Sequence, residues 1–299
     1  MHIYYSDHFT VELPPGHRFP MDKYPLLRQQ LQYEGSATLE QLISPRLITD
    51  EQIQRTHCPA YWQRLQALQE DRQVIRRVGF PQNEKQIRRA RAASSGTFRA
   101  AEHALRYGAG VNLAGGTHHA YRDRGEGYCF INDVAISANW LLHTGQVRRV
   151  LVVDLDVHQG NGTAKLFQAE PRVFTYSMHG AGNYPFHKEE SDLDIALPND
   201  TGDQAYLEHL REVLPRLIAK QQPDIIYYLA GADVLATDRL GKLALTKDGA
   251  RARDEYVCEL AWKHQIPLVA VMGGGYSPRV ADVVDAHANT VRTVLQMWD

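Results

Sequence analysis

Residues 154–162 read Asp-Leu-Asp-Val-His-Gln-Gly-Asn-Gly and follow the apolar run Val150-Leu151-Val152-Val153. A run of this kind predicts a strand that is buried on both faces of a parallel sheet. Asp156 and His158 are two positions apart, so an extended backbone would project both side chains on the same side, as two ligands of one metal require. Asp154 shares that side and is expected to support the ligands. A helix cap and a turn would also explain these residues, so the stretch alone leaves both explanations open.

On either side of this stretch, predicted strands alternate with predicted helices. A short strand is expected at 1–6, Leu26, Leu27 and Leu31 recur at helical spacing, and residues 47–78 are helix-prone. Further strands are expected at about 109–113, 149–153, 172–176, 225–229 and 267–272, and helices at 84–107, 131–144, 203–219, 248–264 and 280–297. This alternation predicts a doubly wound, mainly parallel sheet in a three-layer α/β/α architecture. Gly96 is expected to weaken the helix at 84–107, which could therefore divide in two. No linker-like segment or internal repeat interrupts the pattern, so we expect one domain over residues 1–299.

The overall charge argues against two classes of partner. The formal net charge is −2 at pH 7, which gives no general reason to expect a nucleic acid or an anionic membrane. The helix predicted at 84–107 is rich in arginine, but Phe98 is the only aromatic residue between these arginines, and Glu84 and Glu102 accompany them. We therefore expect a solvated helix face there rather than a nucleic-acid site.

Cysteine usage and the N-terminal sequence bear on the compartment. Cys58, Cys129 and Cys258 are far apart and odd in number, so neither a disulfide framework nor a zinc ribbon is indicated. The N-terminus lacks the features of a secretory signal, and no stretch approaches 18 consecutive apolar residues. The sequence thus predicts an unprocessed cytoplasmic protein with no membrane partner; its oligomeric state is left open.

Polar residues follow five of the predicted strands. Ligands of open α/β sheets bind beyond the carboxyl ends of the strands, so these residues are expected to share one edge of the sheet. They are Gly115-Gly116-Thr117-His118-His119, then Asp154, Asp156 and His158, then Ser177-Met178-His179-Gly180, then Gly231-Ala232-Asp233, and last Gly273-Gly274-Gly275-Tyr276.

Together these strand ends supply the parts of a hydrolytic site. Asp156, His158 and Asp233 are three protein ligands, the number that a catalytic metal uses. Such a metal would polarise a carbonyl and acidify the attacking water, and zinc, Fe²⁺ or Mn²⁺ could take this ligand set. One of His118 and His119 could act as general base, and the other as acid or electrostatic partner. Tyr276 could donate a hydrogen bond to a developing oxyanion.

At these residues the sequence resembles the zinc-dependent histone deacetylase family, whose fold is called the arginase/deacetylase fold. The resemblance runs in family order over nearly the whole chain. Its motifs are Arg18-Phe19-Pro20-Met21, Gly-Gly-Thr-His-His-Ala at 115–120, Gly-Tyr-Cys-Phe-Ile-Asn-Asp at 127–133, the block at 154–158 and Gly-Gly-Gly-Tyr at 273–276. The stretches 154–162 and 238–243 are most similar to the class IV branch, and the resemblance points to a prokaryotic-type deacylase.

The resemblance also implies roles for particular residues. Zinc would be bound by Asp156, His158 and Asp233, His119 would be the main base beside His118, and Tyr276 would stabilise the transition state. The remaining implied sites are an acyl-lysine tunnel at Tyr128, Tyr184, Gly127 and Gly274, and a structural potassium bound by Asp154 and by the backbone oxygens of Asp156, His158, Ser177 and Met178.

Two positions depart from the family pattern. Asn161 stands where class I members have an aspartate paired with the base histidine, which predicts a lower pKa for His119 because an anion would stabilise imidazolium. Many members also hold the substrate backbone with a rim aspartate, and residues 91–97 offer no carboxylate for that task.

The expected function is removal of acetyl or longer acyl groups from lysine side chains of a peptide or protein. An acetylpolyamine amidohydrolase, acting on a small acylated amine, shares the motifs but usually carries a loop insertion that this chain lacks. A binuclear manganese ureohydrolase is disfavoured because only Asp233 follows the fourth strand. The alternative outside enzymes is a catalytically inactive module that binds acyl-lysine.

Overall fold

A computed structural model describes all residues from 1 to 299. Eight strands form one sheet: β1 (Ile3–Tyr4), β2 (Leu42–Ile43), β3 (Ala109–Asn112), β4 (Val150–Asp154), β5 (Val173–Gly180), β6 (Leu193–Leu197), β7 (Ile225–Leu229) and β8 (Leu268–Val271). The ten α-helices are α1 (Lys23–Tyr33), α2 (Asp50–Gln54), α3 (Pro59–Gln66), α4 (Arg72–Val78), α5 (Glu84–Tyr107), α6 (Asp133–His143), α7 (Asn161–Phe167), α8 (Asp203–Gln221), α9 (Lys247–Lys263) and α10 (Val280–Trp298). Short 3-10 helices occupy Asp7–Phe9 and Ala232–Val234.

All strand pairs are parallel, in the order β2-β1-β3-β8-β7-β4-β5-β6. The apolar run of β4 explains the central position of this strand. Val150 and Val152 face one core cluster with α5 and α6, whereas Leu151 and Val153 face the other with α8, α9 and α10. Helices therefore cover both faces, and the predicted doubly wound α/β/α architecture is confirmed.

Two strands and one helix were absent from the prediction. β2 has only two residues, and most of β6 is half-buried at the edge of the sheet, so neither shows the apolar run of an inner strand. α7 begins within Gly160-Asn161-Gly162, a stretch whose composition is typical of a turn. Contacts with the rest of the fold, rather than local sequence preference, therefore determine where these three elements form.

The expected division of the helix at Gly96 is wrong. α5 is continuous, and Gly96 lies against β3, where an added Cβ would come within 2.3 Å of the Asn112 amide oxygen. The glycine therefore allows helix and strand to approach closely rather than breaking the helix.

Arg89 of α5 was expected to lie on a solvated helix face, and for this residue the prediction is wrong. This side chain is buried, donates from Nε to the Phe9 carbonyl at 2.9 Å and from Nη2 to the Tyr24 hydroxyl at 2.8 Å. It helps to join α5 to a third apolar cluster, built largely by the segments that precede β3 and covering the carboxyl edge of the sheet. None of the helices combines the length and apolar character needed to cross a membrane.

Candidate active site

The sheet order brings the functional strand ends together. β3, β8, β7 and β4 are consecutive neighbours, and all four run in the same direction. The residues that follow them therefore meet at one edge of the sheet, as parallel topology requires.

Asp156, His158 and Asp233 form a buried cluster at this edge. Their candidate ligand atoms all lie within 4.8 Å of one another. Nδ1 of His158 is 3.0 Å from Oδ1 of Asp156 and 3.2 Å from Oδ2 of Asp233. Oδ1 of Asp233 accepts a hydrogen bond from the Val157 amide, while its Oδ2 is buried without one. Two buried carboxylates and an imidazole converging in this way fit a divalent cation.

The two adjacent histidines have different partners. Nδ1 of His118 lies 2.7 Å from Oδ2 of Asp154, and Nδ1 of His119 lies 2.6 Å from Oδ1 of Asn161. Both acceptors are oxygens, so each Nδ1 carries the proton, and the lone pair of a neutral ring is on Nε2. Asp154 and Asn161 thus orient the two histidines from behind.

The amide of Asn161 is itself held in one orientation. Its Nδ2 donates to the Tyr121 hydroxyl at 3.0 Å and to Oε1 of Glu126 at 3.2 Å, which leaves Oδ1 facing His119. Glu126 also accepts a hydrogen bond from the Tyr184 hydroxyl. These contacts fix the tautomer of His119.

The charges around the histidines separate their pKa values. Burial disfavours imidazolium at both, but at His118 the carboxylates of Asp154 and Asp156 outweigh burial and raise the pKa to about 9. For His119, burial and the positive charges of His118 and His158 hold the pKa well below its usual value. His118 is suited to donate a proton, and His119 to accept one.

Tyr276 lies beside this pair at the end of the loop that follows β8. Its ring is 6.5 Å from that of His158, and burial together with the charges of Asp233 and Asp156 keeps its pKa well above the usual value. The hydroxyl therefore remains a donor. Asp238 holds the loop, because its Oδ2 accepts from the Tyr276 amide at 2.6 Å and its Oδ1 accepts from two amides of its own turn at 2.8 Å.

The comparison with protein families agrees with this arrangement. Residues 17–291 match the family model described as the histone deacetylase domain. The chain belongs to the histone deacetylase family. An uncharacterized protein of Picosynechococcus sp. is 39% identical over 286 residues, covering 96% of this chain and 95% of that protein.

Named histone deacetylases match over a shorter region. Histone deacetylase 2 of Arabidopsis thaliana is 34% identical over 192 residues, or 63% of this chain and 50% of the plant protein. Histone deacetylase clr6 of Schizosaccharomyces pombe is 31% identical over 199 residues, or 63% of this chain and 44% of the yeast protein. The matched region thus spans half or less of these two relatives.

Two solved structures share the fold. An HDAC homologue complexed with SAHA superposes with a TM-score of 0.87 at 23% identity, covering 99% of this chain and 84% of that chain. The HDA15 HD domain gives a TM-score of 0.83 at 20% identity, covering 99% and 88%.

In this histone deacetylase family member, the predicted tunnel residues line cavities that meet at the histidines. Tyr128, Gly127 and Gly274 line the inner cavity, and Tyr128, Gly127 and Tyr184 line the outer one. The Tyr184 ring stands edge-on to His119 at 5.1 Å. These residues form a passage from the surface to the cluster of Asp156, His158 and Asp233.

Two cations at the inner end were not predicted as site residues. Lys23 and Arg89 are buried, line the inner cavity, and have no carboxylate within ion-pair distance. The Lys23 ammonium lies 4.7 Å from the centre of the Phe19 ring and donates to the Gly274 carbonyl. Phe19 and Tyr24, which lie close to Lys23 in the sequence, were the available signal, because rings can surround a buried cation.

The structure also shows where the predicted potassium ligands and residues 91–97 lie. Asp154 of β4 pairs in register with Ser177 of β5, next to Met178, so the residues predicted to hold potassium are neighbours, and a potassium ion there stays a prediction. Residues 91–97, which carry no carboxylate, do not line the mouth of the passage. These residues lie inside α5 and are mostly buried, whereas Arg77 lines the mouth of the passage.

Asn161 gives a testable pH prediction. An Asn161→Asp change alone would place a second carboxylate beside Glu126, so the variant to use is Asn161→Asp/Glu126→Gln, compared with Glu126→Gln. An anion beside Nδ1 stabilises the imidazolium of His119 and should raise its pKa. Since the base must be neutral, the acidic limb of kcat/KM should move to higher pH. An unmoved or lowered limb in the pH profile would contradict this.

Proposed function

We infer that this protein hydrolyses the amide bond between a short acyl group and a lysine side chain. Membership of the histone deacetylase family supports a hydrolase. The observation that carries the proposal is the pair of histidines held by Asp154 and Asn161 beside three buried side chains suited to a metal, at the end of a passage lined by Tyr128 and Tyr184. Two aromatic walls suit the methylene chain of lysine.

The metal would be held by Asp156, His158 and Asp233, and we propose zinc, although Fe²⁺ or Mn²⁺ also fits two carboxylates and an imidazole. When bound, it would polarise the substrate carbonyl and acidify the attacking water. His158 must bind it as neutral imidazole, since metal and proton compete for the ring nitrogen.

The protein's own groups would divide the proton transfers. His119 would accept a proton from the attacking water at Nε2, because its Nδ1 is occupied by Asn161. His118, held protonated by Asp154, would supply a proton to the departing lysine amine. The Tyr276 hydroxyl would donate a hydrogen bond to the oxyanion that develops from the carbonyl.

The inner cavity favours a short acyl group over a long apolar one. It encloses about 40 Å³ and is lined at one end by the charged side chains of Lys23 and Arg89. A long alkyl chain there would have to displace or cover two buried cations.

An acyl-length series tests the proposal. On one lysine peptide carrying acetyl, butyryl, octanoyl or myristoyl groups, kcat/KM should be highest for acetyl and fall as the chain lengthens. The same peptide without an acyl group and acetylputrescine serve as controls. Faster hydrolysis of acetylputrescine would favour the polyamine alternative, and binding without turnover of any acyl-lysine would favour the inactive module.

A further inference from the structure

The mouth of the passage carries positive charge on both of its sides. Arg77 and Lys242 are exposed, and both line the outer cavity of about 330 Å³ together with Tyr128 and Tyr184. The Arg77 carbonyl accepts from the Gly127 amide at 3.0 Å, which places this residue on the Tyr128 side. The Lys242 amide donates to Oδ1 of Asn183 at 3.2 Å, which places it on the Tyr184 side.

Neither charge is compensated by the protein. Arg77 and Lys242 have no side-chain hydrogen bond and no carboxylate within 4.0 Å, unlike Arg99 or Arg172, which have ion-pair partners. The residues that line the outer cavity include no aspartate or glutamate. Glu126 lies behind Tyr184 and is engaged with Tyr184 and Asn161, so it does not form part of the mouth.

A third cation, Lys188, lies near the mouth, but the charge of Asp194 acts on it, so the free cations are Arg77 and Lys242. Lys188 is half-buried and donates to the carbonyls of Asn183 at 2.7 Å and Pro185 at 2.6 Å, immediately beside the mouth. The whole chain has a formal net charge of −2, so this excess of positive charge is local. Phe186 adds an exposed apolar ring at the same rim.

We propose that Arg77 and Lys242 select substrates whose acyl-lysine is flanked by acidic residues; this rests on the proposed deacylase function. Complementary charge at an entrance speeds encounter and disfavours partners of like charge. A lysine-rich basic tail or an acylated polyamine would meet repulsion here, whereas aspartate or glutamate beside the acyl-lysine would find two free cations. Phe186 would cover an apolar part of the same segment.

The test compares three acetyl-lysine peptides of equal length, flanked by aspartate, alanine or lysine. At about 20 mM salt we expect wild-type kcat/KM to be about tenfold higher for the acidic than for the basic peptide, and at about 500 mM salt the ratio should fall below about threefold because exposed charges are screened. The double variant Arg77→Glu/Lys242→Glu should prefer the basic peptide.

The matched control is Lys220→Glu, which changes an exposed, unpaired cation at the end of α8, away from the mouth of the passage. This variant should keep the wild-type order of the three peptides. A wild-type enzyme that hydrolyses the basic peptide as fast as the acidic one, or a double variant with unchanged order, overturns the inference and leaves the deacylase function standing. Hydrolysis of none of the three peptides overturns both. If the double variant does not fold, the peptide order and salt dependence of the wild type still decide between these outcomes.

Discussion

The change Asp233→Ala is expected to lower kcat/KM for an acetylated peptide about a thousandfold or more and to release the bound metal. Asp233 is buried, and its Oδ2 has no hydrogen-bond donor, so a cation is the partner that this oxygen lacks. Removing one of three ligands forfeits several kcal/mol of charge stabilisation, and each 1.36 kcal/mol is about tenfold in rate. Steady-state kinetics and metal content per folded chain would be measured together.

A change at a second buried carboxylate, Asp282, distinguishes loss of the metal site from a general loss of stability. Asp282 lies in α10, pairs with Lys247 at 2.8 Å and is not one of the three candidate ligands. Asp282→Ala should lower the melting temperature but keep the metal content per folded chain. If Asp233→Ala retained wild-type metal and activity within tenfold, Asp233 would not be a ligand.

The change Tyr276→Phe should reduce kcat about a hundredfold to a thousandfold and leave KM nearly unchanged. The hydroxyl is a poised donor, because burial and the neighbouring carboxylates keep its pKa well above the usual value. A donor to the oxyanion acts mainly in the transition state, and removal of one such donor typically costs that much in rate. Single-turnover and steady-state rates would measure the effect.

Tyr227→Phe is the matched control for the expected loss of kcat in Tyr276→Phe. It also removes a buried tyrosine hydroxyl, one that lies 2.6 Å from Oγ of Ser137 inside the core. The kinetics of this variant should match wild type. A KM increase without a kcat decrease in Tyr276→Phe would show instead that the hydroxyl contributes to ground-state binding.

Residue spacing was enough to predict much of the sheet and several contacts within the site. The alternation of Asp154, Asp156 and His158 directly after an apolar run placed these side chains on one side, and the parallel topology brought Asp233 to them. The position of Asn161 beside the base histidine was implied by the family resemblance. Such predictions succeed because they depend on strand periodicity and on the shared direction of parallel strands.

Other features depend on long-range contacts that local sequence does not encode. Arg89 was expected in solvent, and it is buried because Phe9 and Tyr24 come from segments more than 60 positions away. Asp238 lies in the stretch 238–243, whose sequence indicated only a similarity to the class IV branch. Its hydrogen bond to the Tyr276 amide forms only where two loops meet in the folded chain. The edge strand β6 is half-buried and carries no strong periodic signal.

The most direct test of the central claim is a metal titration of the chelator-treated protein, followed by hydrolysis of an acetyl-lysine peptide. If Asp156, His158 and Asp233 hold a catalytic metal, the metal-free protein should be inactive, and activity should rise with added Zn²⁺ and saturate at one equivalent per chain. Full activity in the metal-free protein, or no activity with one metal bound, would contradict the account.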